Sequence, residues 1–172
     1  MKKIVLLYWP KEGNVEKSAK KIYQQFDSNE IDIFNVDDFD VDTLDDYEII
    51  IMGNSTTGAE NWEDADNDNK WNRFFRKIEE HDLSNRKIAL FGLGNQVLYP
   101  EHFVDGLGIL AHEVDIVKGE LIGQWPTKGY TFTDSKGKEG DMFFGLALDA
   151  DNQKNLTDQR VSEWTEMIKK EF

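Results

Sequence analysis

The sequence predicts a doubly wound α/β domain, and three observations carry that prediction. Short apolar runs recur along the chain, several of them are apolar without alternation, and the segments between them place apolar residues at helical spacing. Runs too short for helices and apolar on both sides suit parallel strands covered on both faces, and their alternation with amphipathic helices is the signature of a doubly wound sheet. The candidate strands are Ile4 to Tyr8, Ile31 to Phe34, Glu48 to Met52, Lys87 to Phe91, Glu120 to Trp125 and Phe143 to Leu148. A first helix is predicted from Val15, Ala19, Ile22, Tyr23 and Phe26, which share one face. Phe74, Phe75 and Ile78 mark a second, and Phe103, Leu107, Leu110 and Ala111 a third. Val161, Trp164, Ile168 and Phe172 mark the last, with Thr157 as its capping candidate.

Composition sets the boundaries. The 172 residues carry 20 Lys and Arg against 34 Asp and Glu, a formal charge of −14, which suits one acidic domain. A chain of this length buries roughly 70 % of the surface its unfolded form exposes and needs no staples. The absence of cysteine excludes disulfides, thiolate metal sites and iron–sulfur ligation, so redox chemistry here needs a bound cofactor. The negative balance argues against nucleic acid and anionic membranes and favours a basic protein partner. The apolar run that opens the chain is too short for a signal peptide, and no run approaches the roughly 18 apolar residues of a membrane span. A cytoplasmic protein is expected.

Two stretches break the rhythm. Between Lys21 and Lys70 there is no Lys or Arg, while acidic residues accumulate. Such a surface is read either as a solvated face that keeps the protein soluble or as a docking face for a basic partner. Pro126 to Asp141, polar and glycine-containing, interrupts the last strand region.

Ligands of open α/β sheets sit outside the carboxyl ends of the strands, which directs attention to the loops after Tyr8, Gly53 and Gly92. The first, Trp9-Pro10-Lys11-Glu12-Gly13-Asn14-Val15-Glu16, leads into a helix whose free N–H groups and dipole attract an anion; Lys11 and Gly13 favour that use, and Glu12 and Pro10 oppose it. The second runs from Gly53 through Ser55, Thr56 and Thr57 to Trp62. The third reads Gly92-Leu93-Gly94-Asn95-Gln96-Val97-Leu98-Tyr99-Pro100, and Val97 stands where a dinucleotide fingerprint needs glycine. Trp62 and Tyr99 are read either as loop aromatics packed on the surface or as a pair that sandwiches a flat ring. His81, His102 and His112 are scattered and read as surface residues. Asp64 to Asp68 fails as a calcium loop because Asn69 and Phe75 occupy its sixth and twelfth positions.

From end to end the chain resembles a flavodoxin of the long-chain branch. The blocks that carry the resemblance are Phe91 to Tyr99, Phe103 to Leu110, Trp125 to Ser135, Phe144 to Asp149 and Leu156 to Val161. The resemblance implies a single domain over residues 1–172, a five-stranded parallel sheet of order 2-1-3-4-5, and an insertion at about 126–141. It also implies one noncovalent FMN and transfer of single low-potential electrons between redox proteins, without catalytic side chains or metal. By position, Tyr99 matches the flavin-stacking tyrosine, and Gly92, Leu93, Gly94 and Asn95 match the segment at the pyrimidine edge. Lys11, Gly13 and Asn14 fall in the phosphate loop, and Ser55, Thr56 and Thr57 in the second loop, with Trp62 able to take the stacking role that Thr57 vacates.

The phosphate loop departs from the family pattern, in which Thr or Ser stands where this chain has Pro10, Glu12 and Val15. A hydrogen bond to a charged group contributes about 1.5 to 3 kcal/mol, and a carboxylate about 4 Å from phosphate opposes binding by roughly 1 to 4 kcal/mol. FMN is therefore expected to bind more weakly than in other flavodoxins, with less advantage over riboflavin. The expected protein is a monomer that docks basic reductase and acceptor partners at its acidic end. The alternatives are a binding or regulatory module without FMN and a small flavin-dependent reductase.

Overall fold

The computed structural model describes residues 3–55 and 69–172. Its strands are β1 (Ile4–Tyr8), β2 (Ile31–Asn35), β3 (Ile49–Ser55), β4 (Lys87–Leu93), β5 (Glu120–Ile122), β6 (Trp125–Pro126), β7 (Lys138–Glu139), β8 (Met142–Phe143) and β9 (Leu146–Leu148). Its helices are α1 (Asn14–Tyr23), α2 (Lys70–Ile78), α3 (Asp105–Ile116) and α4 (Thr157–Lys169).

The main sheet is parallel and runs in the order β2-β1-β3-β4-β5, as the family resemblance implied. The fifth position is shared by two segments. β5 pairs with Lys87–Ala89 at the start of β4, and β9 pairs with Phe91–Leu93 at its end. Between them the chain leaves the sheet and forms a small antiparallel sheet of order β6-β8-β7. The interruption at 126–141 therefore carries β6 and β7 of that small sheet, and β8, which completes it, holds the fully buried Phe143.

Both faces of the sheet are covered, which is why the strands lack alternation. Val5, Leu7, Ile50, Met52, Ile88 and Leu90 point to the side of α2 and α3. Their neighbours Ile4, Leu6, Ile49, Ile51, Ala89 and Phe91 point to the side of α1 and α4. A period of two along each strand thus feeds two cores. Gly53 is required by this packing: a Cβ there would lie 1.9 Å from the Phe91 ring, which crosses the strand at that position.

Four sequence expectations are corrected. Phe103 is buried but precedes α3, because Val104 turns the chain through a left-handed conformation (φ 50°) and helical geometry starts at Asp105. Thr157 is the first residue of α4 and not its cap; Leu156 holds that position, and the Thr157 hydroxyl is buried without a partner among the described residues. Phe26 and Phe172 lie beyond their helices and stack on each other at 6.2 Å. His102 is not a surface residue: it is half-buried in a cleft described below.

The acidic stretch is partly neutralised by cations from its borders. Lys11 reaches Asp38 at 3.1 Å, Lys70 reaches Asp37 at 3.2 Å, and Arg86 reaches Asp45 at 3.6 Å. These exposed pairs add little to stability individually.

Candidate functional site

A cleft of about 260 Å³ opens at the carboxyl ends of β1, β3 and β4, where the sheet order predicts a ligand site. It is lined by Pro10, Asn14 and Val15 from the first loop and α1, by Ser55 at the end of β3, and by Leu93, Gly94, Asn95 and Tyr99 after β4. His102, Val104, Ala150 and Asp151 complete it. Of the residues singled out from the sequence, the cleft gathers Asn14, Ser55, Leu93, Gly94, Asn95 and Tyr99. Thr56, Thr57 and Trp62 lie outside the described residues. A roomier cavity of about 490 Å³ lies at the amino edge of the sheet, among Lys3, Phe26, Lys87 and Phe172. Its lysines are bonded to Glu48 (Lys3), the Gln25 carbonyl (Lys169) and the Glu171 carbonyl (Lys87), so size alone does not mark a ligand site.

The first loop is held by few bonds. Trp9 N–H donates to the Gly53 carbonyl at 3.3 Å, and the Trp71 indole donates to the Trp9 carbonyl at 3.3 Å. The Trp9–Pro10 peptide is cis, and Glu12 has φ 61°, a left-handed conformation that disfavours a branched or bulky residue. Glu12 N–H donates to Glu16 Oε2 at 2.7 Å, and Lys20 Nζ donates to Glu16 Oε1 at 2.6 Å. The hydrogen bond from Lys20, with help from Glu12 N–H, holds the Glu16 carboxyl below the usual carboxylate range. Gly13 caps α1 without a side-chain bond, and the first helical N–H to find a carbonyl is that of Lys17. The start of α1, with Asn14 and Val15 on the cleft wall, thus keeps the polarity of an uncapped helix N-terminus.

Lys11 was expected to help hold an anion here. Its ammonium turns instead to Asp38, whose hydrogen bond raises its pKa, and it does not line the cleft. Glu12 is exposed. Gly92 is absent from the lining because it serves packing: a Cβ there would meet the Leu107 side chain at 2.8 Å, so glycine lets α3 approach the sheet.

The loop after β4 is built differently. Asn95 Oδ1 accepts from Val97 N–H (3.1 Å), Leu98 N–H (2.8 Å) and the Asn152 amide (2.8 Å), while Asn95 Nδ2 donates to Asp151 at 3.2 Å. The side chain read from the sequence as a ligand contact is thus spent on shaping its own loop. Gln96, 2 % exposed, donates through both its backbone N–H and its amide to Asp149 Oδ2, and its amide oxygen accepts Thr131 N–H. Burial works against ionisation of Asp149. The bonds it accepts from the backbone and side chain of Asn152 and from Gln96 outweigh burial and lower its pKa. These buried supports carried no signal in the sequence beyond their membership of the family blocks.

The interrupting segment buttresses the same loop. Thr133 and Asp134 N–H groups donate to the Pro100 carbonyl, Ser135 Oγ donates to the Phe103 carbonyl, and Lys136 N–H donates to Asp105 at 2.7 Å. Tyr130 donates to the Ala147 carbonyl at 2.6 Å beneath the Arg160 guanidinium, which lies 4.0 Å from the ring centre. Burial pushes the Tyr130 phenol up to about 12. Supported in this way, the loop holds Val97, Leu98 and Tyr99 out at 66, 65 and 40 % exposure, an apolar lip beside the cleft.

An aromatic lip facing a helix N-terminus, at the point where strand order reverses, defines a doubly wound protein with a site for a flat ring carrying an anionic tail. Comparison with known proteins names the class. A flavodoxin family model matches residues 6–164. A flavodoxin of Nostoc sp. is 34 % identical over 171 residues, covering 99 % of this chain and 98 % of that protein. Flavodoxin 1 of Escherichia coli is 36 % identical, covering 93 % of this chain and 89 % of its own. Among solved structures, a Fusobacterium nucleatum flavodoxin bound to flavin mononucleotide superposes with a TM-score of 0.87 at 30 % identity, covering 100 % of this chain and 99 % of that one. The chain belongs to the flavodoxin family.

Proposed function

We propose that this flavodoxin carries single low-potential electrons between redox proteins on one noncovalent FMN, held in the cleft between Tyr99 and the start of α1. The observation that carries this reading is the cleft itself: a partly exposed tyrosine lines it together with a helix N-terminus that has no side-chain cap, in a member of the flavodoxin family. When bound, FMN supplies the one-electron chemistry, and the protein acts as an electron-transfer protein without catalytic side chains.

The residues present fit that cofactor. Tyr99 offers its ring face to the flavin. The cleft walls at Leu93, Gly94 and Val104 add apolar surface, and Asn95 presents main chain rather than its occupied side chain. Asn14 and Val15 at the start of α1 receive the phosphate, and Ser55 lies between the two ends. Thr56, Thr57 and Trp62 belong to this proposal by resemblance alone. Gly13 contributes as the side-chain-free cap of α1, Gly92 through the packing of α3, and Lys11 only as a more distant positive charge. The ionised Asp149 and the neighbouring Asp151 oppose added negative charge and so keep the potential low.

The partners proposed are basic redox proteins that meet the acidic surface, with the protein acting as a cytoplasmic monomer. Among the described residues no helix is long and apolar enough to cross a membrane.

Titration of apoprotein with FMN and with riboflavin tests the reading. The expected outcome is a 1:1 yellow complex with each, with FMN favoured by no more than about a hundredfold because one helix end replaces three hydroxyls. A protein that stays colourless with both overturns the electron-carrier reading in favour of a cofactor-free module. Turnover of a small acceptor without a second redox protein favours the reductase instead.

A further inference from the structure

His102 is the one histidine that lines the cleft, and its setting differs from that of His81 and His112. Its Nδ1 lies 3.0 Å from Asp105 Oδ2, and Asp105 is 1 % exposed. The other oxygen of that carboxylate accepts Lys136 N–H at 2.7 Å, so the group is fixed from two sides. A carboxylate at Nδ1 selects the tautomer with the proton on Nδ1 and leaves Nε2 as a bare acceptor able to bind a second proton. Among the described residues Nε2 has no protein partner. The backbone holds the ring in place as well, through His102 N–H to the Tyr99 carbonyl at 3.1 Å.

We propose that His102, oriented by Asp105, is a proton-binding residue of the cofactor site that takes up a proton when the bound flavin becomes negatively charged. The inference rests on the FMN reading above and deepens it. An electron arrives from the redox partner and adds one negative charge at the ring; Nε2 of His102 takes one proton from water, and the charge of the site is unchanged. On reoxidation the electron leaves for the acceptor and the proton returns to solvent. Linkage makes the effect reciprocal: whatever factor reduction adds to the proton affinity of His102, protonation adds to the electron affinity of the site.

The charged and titratable groups nearest the imidazole in the fold are Asp105 on its own turn, Tyr99 and Asp151 on the cleft wall, Glu101 next to it in the chain, and Asp134 and Lys136 on the segment whose backbone bonds to Pro100 and Asp105. Of these side-chain types, imidazole is the one whose ordinary titration falls between about pH 5 and 8. Elsewhere, Glu113 is pushed up to about 7, so its titration has to be separated from that of His102.

The test follows the His102 ring signal by NMR through a pH titration of the FMN complex, oxidised and fully reduced, with His102→Gln for assignment. The phosphate is the same in both states and cancels. The expected result is at least a tenfold higher proton affinity in the reduced protein, a shift of one pH unit or more. Potentials of the low-potential couple measured against pH in a Glu113→Gln background add a second readout. Wild-type potentials should fall with rising pH between the oxidised- and reduced-state midpoints of His102, by at most tenfold per pH unit, or 59 mV, when those midpoints lie well apart, and His102→Gln removes that contribution. Identical His102 titrations in the two redox states overturn the inference while leaving FMN carriage intact, as does an unchanged slope in His102→Gln. Failure of the protein to bind FMN overturns both. If His102→Gln fails to fold, the wild-type titration decides alone.

Discussion

The two loops that frame the cleft are built on different principles. The loop after β4 is fixed by a closed set of bonds: Asn95 shapes the turn, Gln96 and Asp149 anchor it from below, and residues 131–136 brace it from the side. The loop after β1 is held by fewer bonds: Trp9 to Gly53 and to Trp71, Lys11 to Asp38, and Glu12 N–H to Glu16 at the start of α1. The loop after β4, proposed to hold the ring, is therefore set by the protein's own bonds, whereas the start of α1, proposed to hold the phosphate, offers a field and a few N–H groups. Among the described residues, the bonds that hold the loop after β1 run through the backbone, Glu16 and Lys11, so changes at Pro10, Glu12 and Val15 break none of them, although Val15 also packs in the core. A comparable change at Gln96 would leave buried groups unpaired.

The largest effect is expected where the network is broken. Asp149→Ala removes the acceptor of Gln96 and Asn152 and leaves buried donors unsatisfied, so chemical denaturation should show a loss of about 3 kcal/mol, with weakened FMN binding. A loss below about 1 kcal/mol would mean that the loop keeps its shape without this anchor.

Glu113 sharpens the contrast, because it is a carboxyl buried without such a network. It is 4 % exposed, its Oε1 has no partner among the described residues, and burial, with the nearby charge of Glu79, pushes it up to about 7. With a folded-state pKa raised above the unfolded value, the native protein binds more protons between about pH 4.5 and 7. Stability from this group therefore falls as pH rises through that window, and the full cost applies above it. Glu113→Gln should stabilise the protein by about 2 kcal/mol at pH 8 and by little at pH 4.5. Denaturation midpoints at the two pH values check this. Asp149 has the opposite sign: its lowered pKa contributes stability above the ordinary carboxylate range that is lost as pH falls.

At the other loop, Glu12→Asn removes a charge near the proposed phosphate position with a residue that accepts the left-handed backbone (φ 61°). It should tighten FMN by about three- to tenfold and leave riboflavin unchanged. Equal gains for both ligands would show that the change acts on loop shape instead. The smallest effect belongs to Lys11→Ala: since the ammonium is engaged by Asp38 at the surface, FMN affinity should move by less than about twofold.

The fold was legible because the strands buried on both faces leave apolar runs that nothing else explains, and β1 lies at the residues expected from its run. The helix starts were less legible. Phe103 continues the apolar period of α3, yet Val104 breaks the helix through a backbone angle that valine does not advertise. Thr157 has the chemistry of a cap but enters the helix itself. At the cleft, Tyr99 and Asn14 were singled out by type and place, and both line it. Asn95 lines it too, but its bonds run inward. His102 was passed over because a single histidine carries no metal or catalytic spacing; its only trace was an aspartate three residues on, which a turn rather than a helix brings to the ring.

The central claim is that Tyr99 and the start of α1 close around a flavin. Fluorescence titration of FMN with wild-type protein and with Tyr99→Ala addresses it most directly. Quenching that saturates at one equivalent in the wild type, with binding at least about tenfold weaker in the variant, is the predicted result. Absence of quenching in the wild type, or equal affinity in the two proteins, would contradict it.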